Sequence, residues 1–390
     1  MIDNLLGWLL LPLGVVLGWA LARRTPNVDQ SAPAPMTGGL LTQLTTGDDP
    51  DQAIAALTQA VELDPATAEL HLTLGNLFRK RGEVDRALRI HEALLSRANL
   101  KPDLIHRARF ELAQDYAKAG LMDRAESLFQ DLVAQGLSVI ASLEQLAALY
   151  EQARDWKHAI ETVQRLEAAR GESRRPIIAQ YTCEMSEEAK RDGNLGQALK
   201  LAHKALDMDK NCVRASLLLG ALSEAEQDFN GAAKFYRRAF DQDARFLPEV
   251  LPSLQRCIEK TGNDQDYLMF LSDAKQMSAS MLPVVAEARL MKQEGLDALN
   301  HLSASLEQRP TRTVLMEFLD ILENKPEVIA AGLHKPAASL RKAIARAVEV
   351  NSRYLCGHCG FNPRQLFWQC PSCKQWGSVV PVDDLQKPVG

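Results

Sequence analysis

Six short stretches of the chain end on an alanine, and these alanines recur at intervals of 34, 38, 34, 39 and 34 residues. The stretches are GDDPDQA, RGEVDRA, AGLMDRA, ARDWKHA, DGNLGQA and EQDFNGA, which end at Ala53, Ala87, Ala125, Ala159, Ala198 and Ala232. The residue three positions before each alanine is apolar: Pro50, Val84, Met122, Trp156, Leu195 and Phe229. A small residue lets two helices approach closely, and the apolar positions bury a face that one hairpin cannot cover alone. The pattern therefore predicts stacked helical hairpins.

This spacing resembles that of tetratricopeptide repeats, which are helical hairpins of about 34 residues. We expect a mainly α fold, a tetratricopeptide-repeat superhelical solenoid, over residues 48–330. The pattern is clear from Asp48 to Asp243 and continues in degenerate form through Leu254–Leu271 and Ala286–Leu306. The two longer intervals predict inserted turn residues. An irregular helical bundle would not keep six alanines in register.

Stacked hairpins form a concave groove that binds other proteins far more often than it catalyses a reaction. On the helix before Ala87, Asn76, Arg79 and Lys80 are candidates for gripping an acidic peptide or a terminal carboxylate. The alternative for these three residues is an ordinary solvated helix face.

The sequence offers no positive support for catalysis. It contains no phosphate-cradling glycine loop, H-E-x-x-H helix or G-x-S-x-G elbow. His71 and His91 occupy repeat positions that pack between helices, and Cys183, Cys212 and Cys257 are expected to be small buried side chains. A net charge of −5 and a pI near 6.0 do not indicate a nucleic-acid binder.

Before the repeats, the nineteen residues Asn4–Ala22 carry no charge. That is about the length of helix needed to cross a hydrocarbon core of about 30 Å. A cleavable signal peptide is the alternative, but no Lys or Arg precedes this stretch, whereas Arg23 and Arg24 follow it. The sequence predicts a single-pass anchor in residues 1–22 with the body on the cytoplasmic side. A flexible linker rich in Pro, Gly, Ser and Ala is predicted over residues 23–47.

The stretch CGHCGFNPRQLFWQCPSC contains two C-x-x-C pairs, Cys356 with Cys359 and Cys370 with Cys373. Two such turns facing each other make a tetrahedral four-sulfur site, and so small a segment needs a metal for much of its folding energy. Zinc is the default metal, and iron fits the same ligands. Two disulfides or a redox dithiol are alternatives that a reducing cytoplasm disfavours. We predict a rubredoxin-like (zinc-ribbon) domain over residues 351–390, after a connecting helix at 331–350.

Aromatic residues crowd around the four cysteines: Tyr354, Phe361, Phe367, Trp368 and Trp376. Some would wrap the metal, and others, with Trp368 and Trp376 as candidates, would contact the repeats or a partner. From Lys335 to Lys374 there are seven Lys or Arg residues and one acid, Glu349. This basicity suits nucleic acid, anionic lipid or an acidic protein, and for a tethered protein we expect lipid or protein.

An anchor, tetratricopeptide repeats and a terminal rubredoxin-like module form an unusual combination. The most telling segments are HLTLGNLFRKRGEVDRALRIHEALL (His71–Leu95), CGHCGF (Cys356–Phe361) and FWQCPSCKQW (Phe367–Trp376). Across essentially its whole length the chain resembles the lipopolysaccharide assembly protein B (LapB, earlier YciM) family of Gram-negative bacteria. The family's metal ligands correspond to Cys356, Cys359, Cys370 and Cys373.

The resemblance implies a non-enzymatic adaptor, anchored in the inner membrane with its N-terminus periplasmic. Such an adaptor helps the FtsH protease degrade the LpxC deacetylase and so regulates lipopolysaccharide synthesis. The resemblance also implies links to lipopolysaccharide transport proteins and to an inner-membrane sensor protein. The alternatives are a general scaffold of the transport machinery without a proteolytic role, and an iron-dependent electron-transfer protein. No nucleic-acid partner is expected, and the sequence leaves open whether the chain forms a homodimer.

Overall fold

The structure is a computed structural model that describes residues 68–97, 100–330, 334–347 and 353–382. The helices are α1 (Ala68–Arg81), α2 (Val84–Leu95), α3 (Pro102–Lys118), α4 (Met122–Ala134), α5 (Val139–Ala153), α6 (Trp156–Arg170), α7 (Arg175–Arg191), α8 (Leu195–Met208), α9 (Val213–Ala225), α10 (Phe229–Gln242), α11 (Leu247–Thr261), α12 (Asp264–Met277), α13 (Leu282–Gln293), α14 (Ala298–Gln308), α15 (Arg312–Glu323), α16 (Pro326–Ala330) and α17 (His334–Ala347). A 3-10 turn at Ala244–Phe246 precedes α11, and strands β1 (Tyr354–Cys356) and β2 (Val379–Pro381) form an antiparallel pair. The fold is mainly helical with a small C-terminal domain, as predicted.

The repeat alanines lie where the hairpins close. All five alanines in the described residues are completely buried: Ala87, Ala125, Ala159, Ala198 and Ala232. The apolar residue three positions earlier is the first residue of the second helix of each hairpin: Val84, Met122, Trp156, Leu195 and Phe229. The spacing therefore predicted the tight contact, and the structure adds that the apolar residue begins the second helix.

Polar residues fix where three of these second helices begin. Asp155, Asn194 and Asp228 are the N-caps of α6, α8 and α10. The side chain of each accepts a hydrogen bond from the backbone N–H three residues later. This satisfies an amide that has no partner inside the helix and stabilises the turn between the two helices.

Contacts between successive hairpins repeat at about one repeat length along the chain. The Trp156 indole Nε1 donates to Glu188, 32 residues away, at 2.9 Å. The Arg256 guanidinium donates to Glu224, also 32 residues away, at 3.0 Å. The same kind of polar contact therefore joins neighbouring hairpins at different points of the array.

Glycine is required where an aromatic ring of the second helix lies against the first. A Cβ added to Gly220 in α9 would lie 2.6 Å from Cε1 of the buried Tyr236 ring. In the first described hairpin, a Cβ added to Gly75 would lie 2.3 Å from Nε2 of His91. His91 is completely buried, as its repeat position predicted, and its Nδ1 lies 2.5 Å from Asp115. Each glycine leaves the space that its ring fills.

Both longer intervals include lengthened helices. Between Ala87 and Ala125 the connection between α2 and α3 is longer than the one between α4 and α5, and α3 has 17 residues whereas α5 has 15. Between Ala159 and Ala198 the extra residues mainly lengthen helices, because α7 also has 17 residues. The predicted inserted turn residues therefore account for only part of the extra length. The sequence interval alone cannot distinguish a longer turn from a longer helix.

The chain divides into two compact units, one ending at Leu128 and the other beginning at Phe129. The second unit continues the hairpins beyond the clear repeats, with α11 and α12 and then α13 and α14. These helices keep an apolar core that includes Leu254, Phe270 and Leu271. That they are degenerate tetratricopeptide repeats stays a prediction. Cys183, Cys212 and Cys257 are buried free cysteines, as predicted.

The predicted anchor at residues 1–22, the linker at 23–47 and the first repeat alanine, Ala53, lie outside the described residues. Among the residues that are described, no helix is both long enough and apolar enough to span a membrane. The proposed domain boundaries stay predictions, although α17 lies within the connecting segment predicted at 331–350.

Substituting Gly220 with Ala should destabilise the second unit. Overpacking a core costs about 1–3 kcal/mol, which exceeds the ~0.5–1 kcal/mol that Ala gains over Gly in a helix. We expect a lower urea midpoint of the helical circular-dichroism signal. Gly196 is the control, because a Cβ there would meet nothing within 4 Å. Gly196→Ala should raise the midpoint, and equal effects of both substitutions would contradict the steric explanation.

Candidate metal centre and its docking surface

Two loops built in the same way present the four predicted metal ligands. In the first, the amide of Cys356 donates to the Phe361 carbonyl at 2.8 Å, and the amide of Gly360 donates to the Cys356 carbonyl at 3.0 Å. In the second, the amide of Cys370 donates to the Gln375 carbonyl, and the amide of Lys374 donates to the Cys370 carbonyl, both at 2.9 Å. The residue after the second cysteine of each pair has positive φ, +74° for Gly360 and +60° for Lys374. Each C-x-x-C pair therefore closes one tight turn.

The loops bring the four sulfur atoms together. The Sγ atoms of Cys356 and Cys373 are 3.7 Å apart, as are those of Cys359 and Cys370. All four lie within 4.8 Å of one another. Four sulfurs at the usual Zn–S distance of ~2.3 Å from one ion would be separated by about 3.8 Å in a tetrahedron. The four cysteines can therefore hold one metal ion, and the arrangement fits both zinc and iron.

The electrostatics of the cluster favour a cation. Burial disfavours the Cys356 thiolate, but a hydrogen bond with the Ser378 hydroxyl and hydrogen bonds from the amides of Cys359 and His358 lower the pKa of Cys356 to about 6. At Cys373 a hydrogen bond from the Gln375 amide lowers the pKa, but burial and the neighbouring thiols raise it to about 12 overall. Ionisation of Cys373 is therefore disfavoured beside its neighbouring thiols, and a bound cation would remove that conflict.

The two predicted tryptophans of the module pack against the repeats. The Trp368 ring stacks on Phe246 with 5.7 Å between ring centroids and 7° between ring planes. The edge of Trp376 meets Trp156 and Tyr181, with centroid distances of 6.2 and 5.7 Å. Both indoles are therefore engaged within the second unit, which is one of the two roles that the sequence left open.

Acidic side chains of the repeats accept the polar groups of the module. Glu151 on α5 accepts hydrogen bonds from Gln369 Nε2 at 2.9 Å and from Trp376 Nε1 at 3.3 Å. Glu249 on α11 accepts a hydrogen bond from the Tyr354 hydroxyl. The contact therefore spans several successive hairpins.

Arg214 on α9 lies under both indoles. Its guanidinium carbon is 5.6 Å from the centroid of Trp368 and 5.9 Å from that of Trp376. It is only 2% exposed and pairs with Glu184 at 2.7 Å and Glu187 at 2.9 Å. Burial alone would lower the pKa of Arg214, but the two carboxylates outweigh that effect and raise it. A fixed positive charge is thus held against two aromatic faces.

The other predicted binding residues lie in the first unit, on α1. The Arg79 guanidinium donates hydrogen bonds to Glu111 and Asp115 on α3, and its Nη2 also donates to Asn76 Oδ1 at 3.0 Å. Lys80 is exposed in the last turn of the helix. A partner-binding role for these three residues stays a prediction, and Arg79 is already engaged in an ion-pair network.

Sequence reasoning missed the repeat residues that receive the module, Glu151, Arg214, Phe246 and Glu249. Only Arg214 carried a signal. It is the one charged residue between Cys212 and Leu222 in a helix that is otherwise apolar or small. A cation in such a place requires carboxylate partners nearby.

Family models match both the metal module and the repeats of this chain. A rubredoxin metal-binding domain model matches residues 354–381. Tetratricopeptide-repeat models match residues 46–104 and 183–245. The first match contains all four cysteines of the cluster.

Curated relatives align with nearly the whole chain. Lipopolysaccharide assembly protein B of Escherichia coli K12 is 32% identical over 389 residues, which cover 97% of this chain and 98% of the relative. The chain belongs to the lipopolysaccharide assembly protein B family. The Haemophilus influenzae protein of the same name is 30% identical over 396 residues, with the same coverage.

Among solved structures, the chain is similar to the C-terminal part of a TPR repeat-containing protein from Cytophaga hutchinsonii. The identity is 13%, the TM-score is 0.36, and the match covers 71% of this chain and 96% of that one. The relatives from Escherichia coli and Haemophilus influenzae are named as assembly proteins, and this name fits a non-enzymatic scaffold.

Substituting Gly360 with Ala should weaken the retention of a metal ion by the four cysteines. A Cβ at positive φ costs about 1–2 kcal/mol, and the strain falls on the turn that holds Cys356 and Cys359. We expect zinc to be lost to a chelator at concentrations roughly five- to thirtyfold lower. Gly357→Ala is the control, because its Cβ would meet only the Ser378 carbonyl at an ordinary 3.8 Å. Identical retention by the two variants would contradict this account of the turn.

Arg214→Met should release the module while leaving the four cysteines in place. Removing one partner of a buried ion pair costs about 3–5 kcal/mol of stability. For Arg214→Met we expect a smaller cost of about 2–4 kcal/mol, because Glu187 is 36% exposed and water screens part of its charge. Amide hydrogen exchange in residues 368–377 should quicken at least about tenfold. Arg256→Met removes a more exposed ion pair with Glu224 and should leave exchange there unchanged. Slow exchange in the Arg214 variant would mean that the indoles do not depend on this cation.

Proposed function

We propose that this chain is a cytoplasmic adaptor, anchored in the bacterial inner membrane, that regulates lipopolysaccharide synthesis. In this proposal it promotes FtsH-dependent degradation of the LpxC deacetylase and coordinates lipopolysaccharide assembly. The observation that carries the proposal is the alignment of repeats and metal module together with relatives named for lipopolysaccharide assembly. The proteolytic step and its partners come from the family resemblance.

The repeat architecture supports a scaffold role. Tetratricopeptide hairpins present long surfaces suited to other proteins, and their binding usually involves no chemical step. Anchoring such a surface beside a membrane protease would raise its effective concentration there. Substrate and protease would then meet by proximity.

The docked module supports a structural role for the metal. Trp368 and Gln369 immediately precede Cys370, and Trp376 follows Cys373 by three residues. The residues that contact the repeats are therefore fixed by the same loops that carry the ligands. In this proposal, loss of the metal removes function because the composite surface is lost, and no electron transfer is required.

The proposal is tested by measuring the half-life of LpxC in cells that contain FtsH. Removing this protein should lengthen the half-life, and restoring it should shorten the half-life again. Cys356→Ser with Cys370→Ser should fail to restore degradation, as should Trp368→Ala with Trp376→Ala. Phe361→Ala is the control, because Phe361 is an exposed aromatic residue of the module that makes no described contact with the repeats.

The tryptophan variant separates the surface from the metal, since it keeps all four ligands. If it regulates LpxC normally while the cysteine variant does not, the metal acts by some means other than docking. An unchanged LpxC half-life after removal of the whole protein would exclude the proteolytic adaptor. A structural role in lipopolysaccharide assembly would then replace it.

A further inference from the structure

Positive charge is concentrated near the C-terminal end of a chain that is acidic overall. The segment from Lys335 to Lys374 has a formal charge of +6, and the whole chain has a formal charge of −5, so the remainder carries −11. Such an asymmetry points to an anionic surface as a partner. The helix α17, at the start of this segment, contains four Lys or Arg residues and no acid.

One side of α17 is committed to the repeats. Ala337 and Ala338 are partly buried, and α17 packs against α15. Arg341, on the same side, donates to Glu323 of α15 at 2.9 Å. This cation is therefore neutralised within the fold.

The opposite side of α17 presents uncompensated cations to solvent. Lys335 and Lys342 are exposed and lie seven residues apart, which places them on one face of the helix. Among the described residues neither has a carboxylate within ion-pair distance. Leu340 lies at the far edge of this exposed arc and is 52% exposed. The face thus combines mobile ammonium groups with an accessible aliphatic side chain.

We propose that this outer face of α17 binds the anionic headgroups of a phospholipid bilayer. Lys335 and Lys342 contact lipid phosphates, and Leu340 enters the boundary between headgroups and acyl chains. The inference uses the anchor predicted from residues 4–22 but does not depend on the proposed regulation of LpxC. It would hold equally for a scaffold without a proteolytic role.

The expected strength explains why an anchor is also needed. Each Lys near an anionic membrane surface strengthens association about fivefold, so two strengthen it only about thirtyfold. One weak signal gives marginal, reversible binding, whereas a second signal together with an anchor gives a stable orientation. The face would therefore orient the second unit on a membrane that the chain has already reached.

The composition of the face favours lipid over an acidic protein. Specific protein interfaces are enriched in aromatic residues and Arg and depleted in Lys at their centre. The described part of this face instead has Lys at one edge, Leu at the other and the side chains of Pro336, Ser339 and Ala343 between them. Flexible Lys side chains suit a fluid array of phosphates better than a fixed pocket.

The test is amide hydrogen exchange of the full-length, metal-loaded chain mixed with lipid vesicles. Exchange in residues 335–343 should slow in vesicles of phosphatidylglycerol and phosphatidylcholine, and not in phosphatidylcholine alone. Raising the salt to about 0.5 M should abolish the difference, because it shortens the screening length to a few ångströms. Lys335→Glu with Lys342→Glu should also abolish it. Lys260→Glu, at an exposed lysine on α11, should not.

Equal exchange with both kinds of vesicle would overturn the proposal, as would slowing that survives the double substitution. Poly-glutamate serves as a probe for an acidic protein. If poly-glutamate slows exchange in residues 335–343 and anionic vesicles do not, the partner is an acidic polypeptide and the proposal is wrong.

Discussion

The close approach of the two helices in each hairpin is the constraint on which the rest of the structure depends. Completely buried alanines such as Ala159 and Ala198 set that distance, and Gly220 leaves the space for the Tyr236 ring. Because each hairpin is tight, the next one can stack on it and make polar contacts about one repeat length away. The same stacking brings Glu151, Arg214 and Glu249, from different hairpins, against a single small domain.

The metal module has little core of its own, so the metal and the repeats have to organise it together. Its buried cluster includes Tyr354, Cys356, Cys370 and Val379. Two of these residues are candidate metal ligands, and a third, Tyr354, also donates to Glu249 of the repeats. So small a core cannot by itself offset the conformational entropy of ordering the segment. Ligand geometry and docking are therefore expected to fail together in variants that lose the metal.

The hairpins and metal ligands could be predicted because their signals are local. A small residue at a fixed offset from an apolar one marks the hairpin, and two C-x-x-C pairs mark the sulfur site, without any knowledge of distant contacts. The docking surface could not be predicted, since Glu151 and Trp376 are 225 residues apart in sequence. The ion pair of Arg79 could not be predicted for the same reason, because its partner Glu111 lies 32 residues away on another helix. Helix periodicity cannot distinguish such a paired cation from a solvated one.

Charge within the metal module explains why the outer face of α17, and not the module, is the better candidate for contact with lipid. Residues 353–382 contain three Lys or Arg residues, Arg353, Arg364 and Lys374, and no acid. Four thiolates around a divalent ion carry a net charge of −2, which offsets most of these cations when the metal is bound. No such anion compensates Lys335 and Lys342 among the described residues of α17. The acidic repeat residues therefore receive a module of low net charge through indole and hydroxyl groups, while the free positive charge remains on the preceding helix.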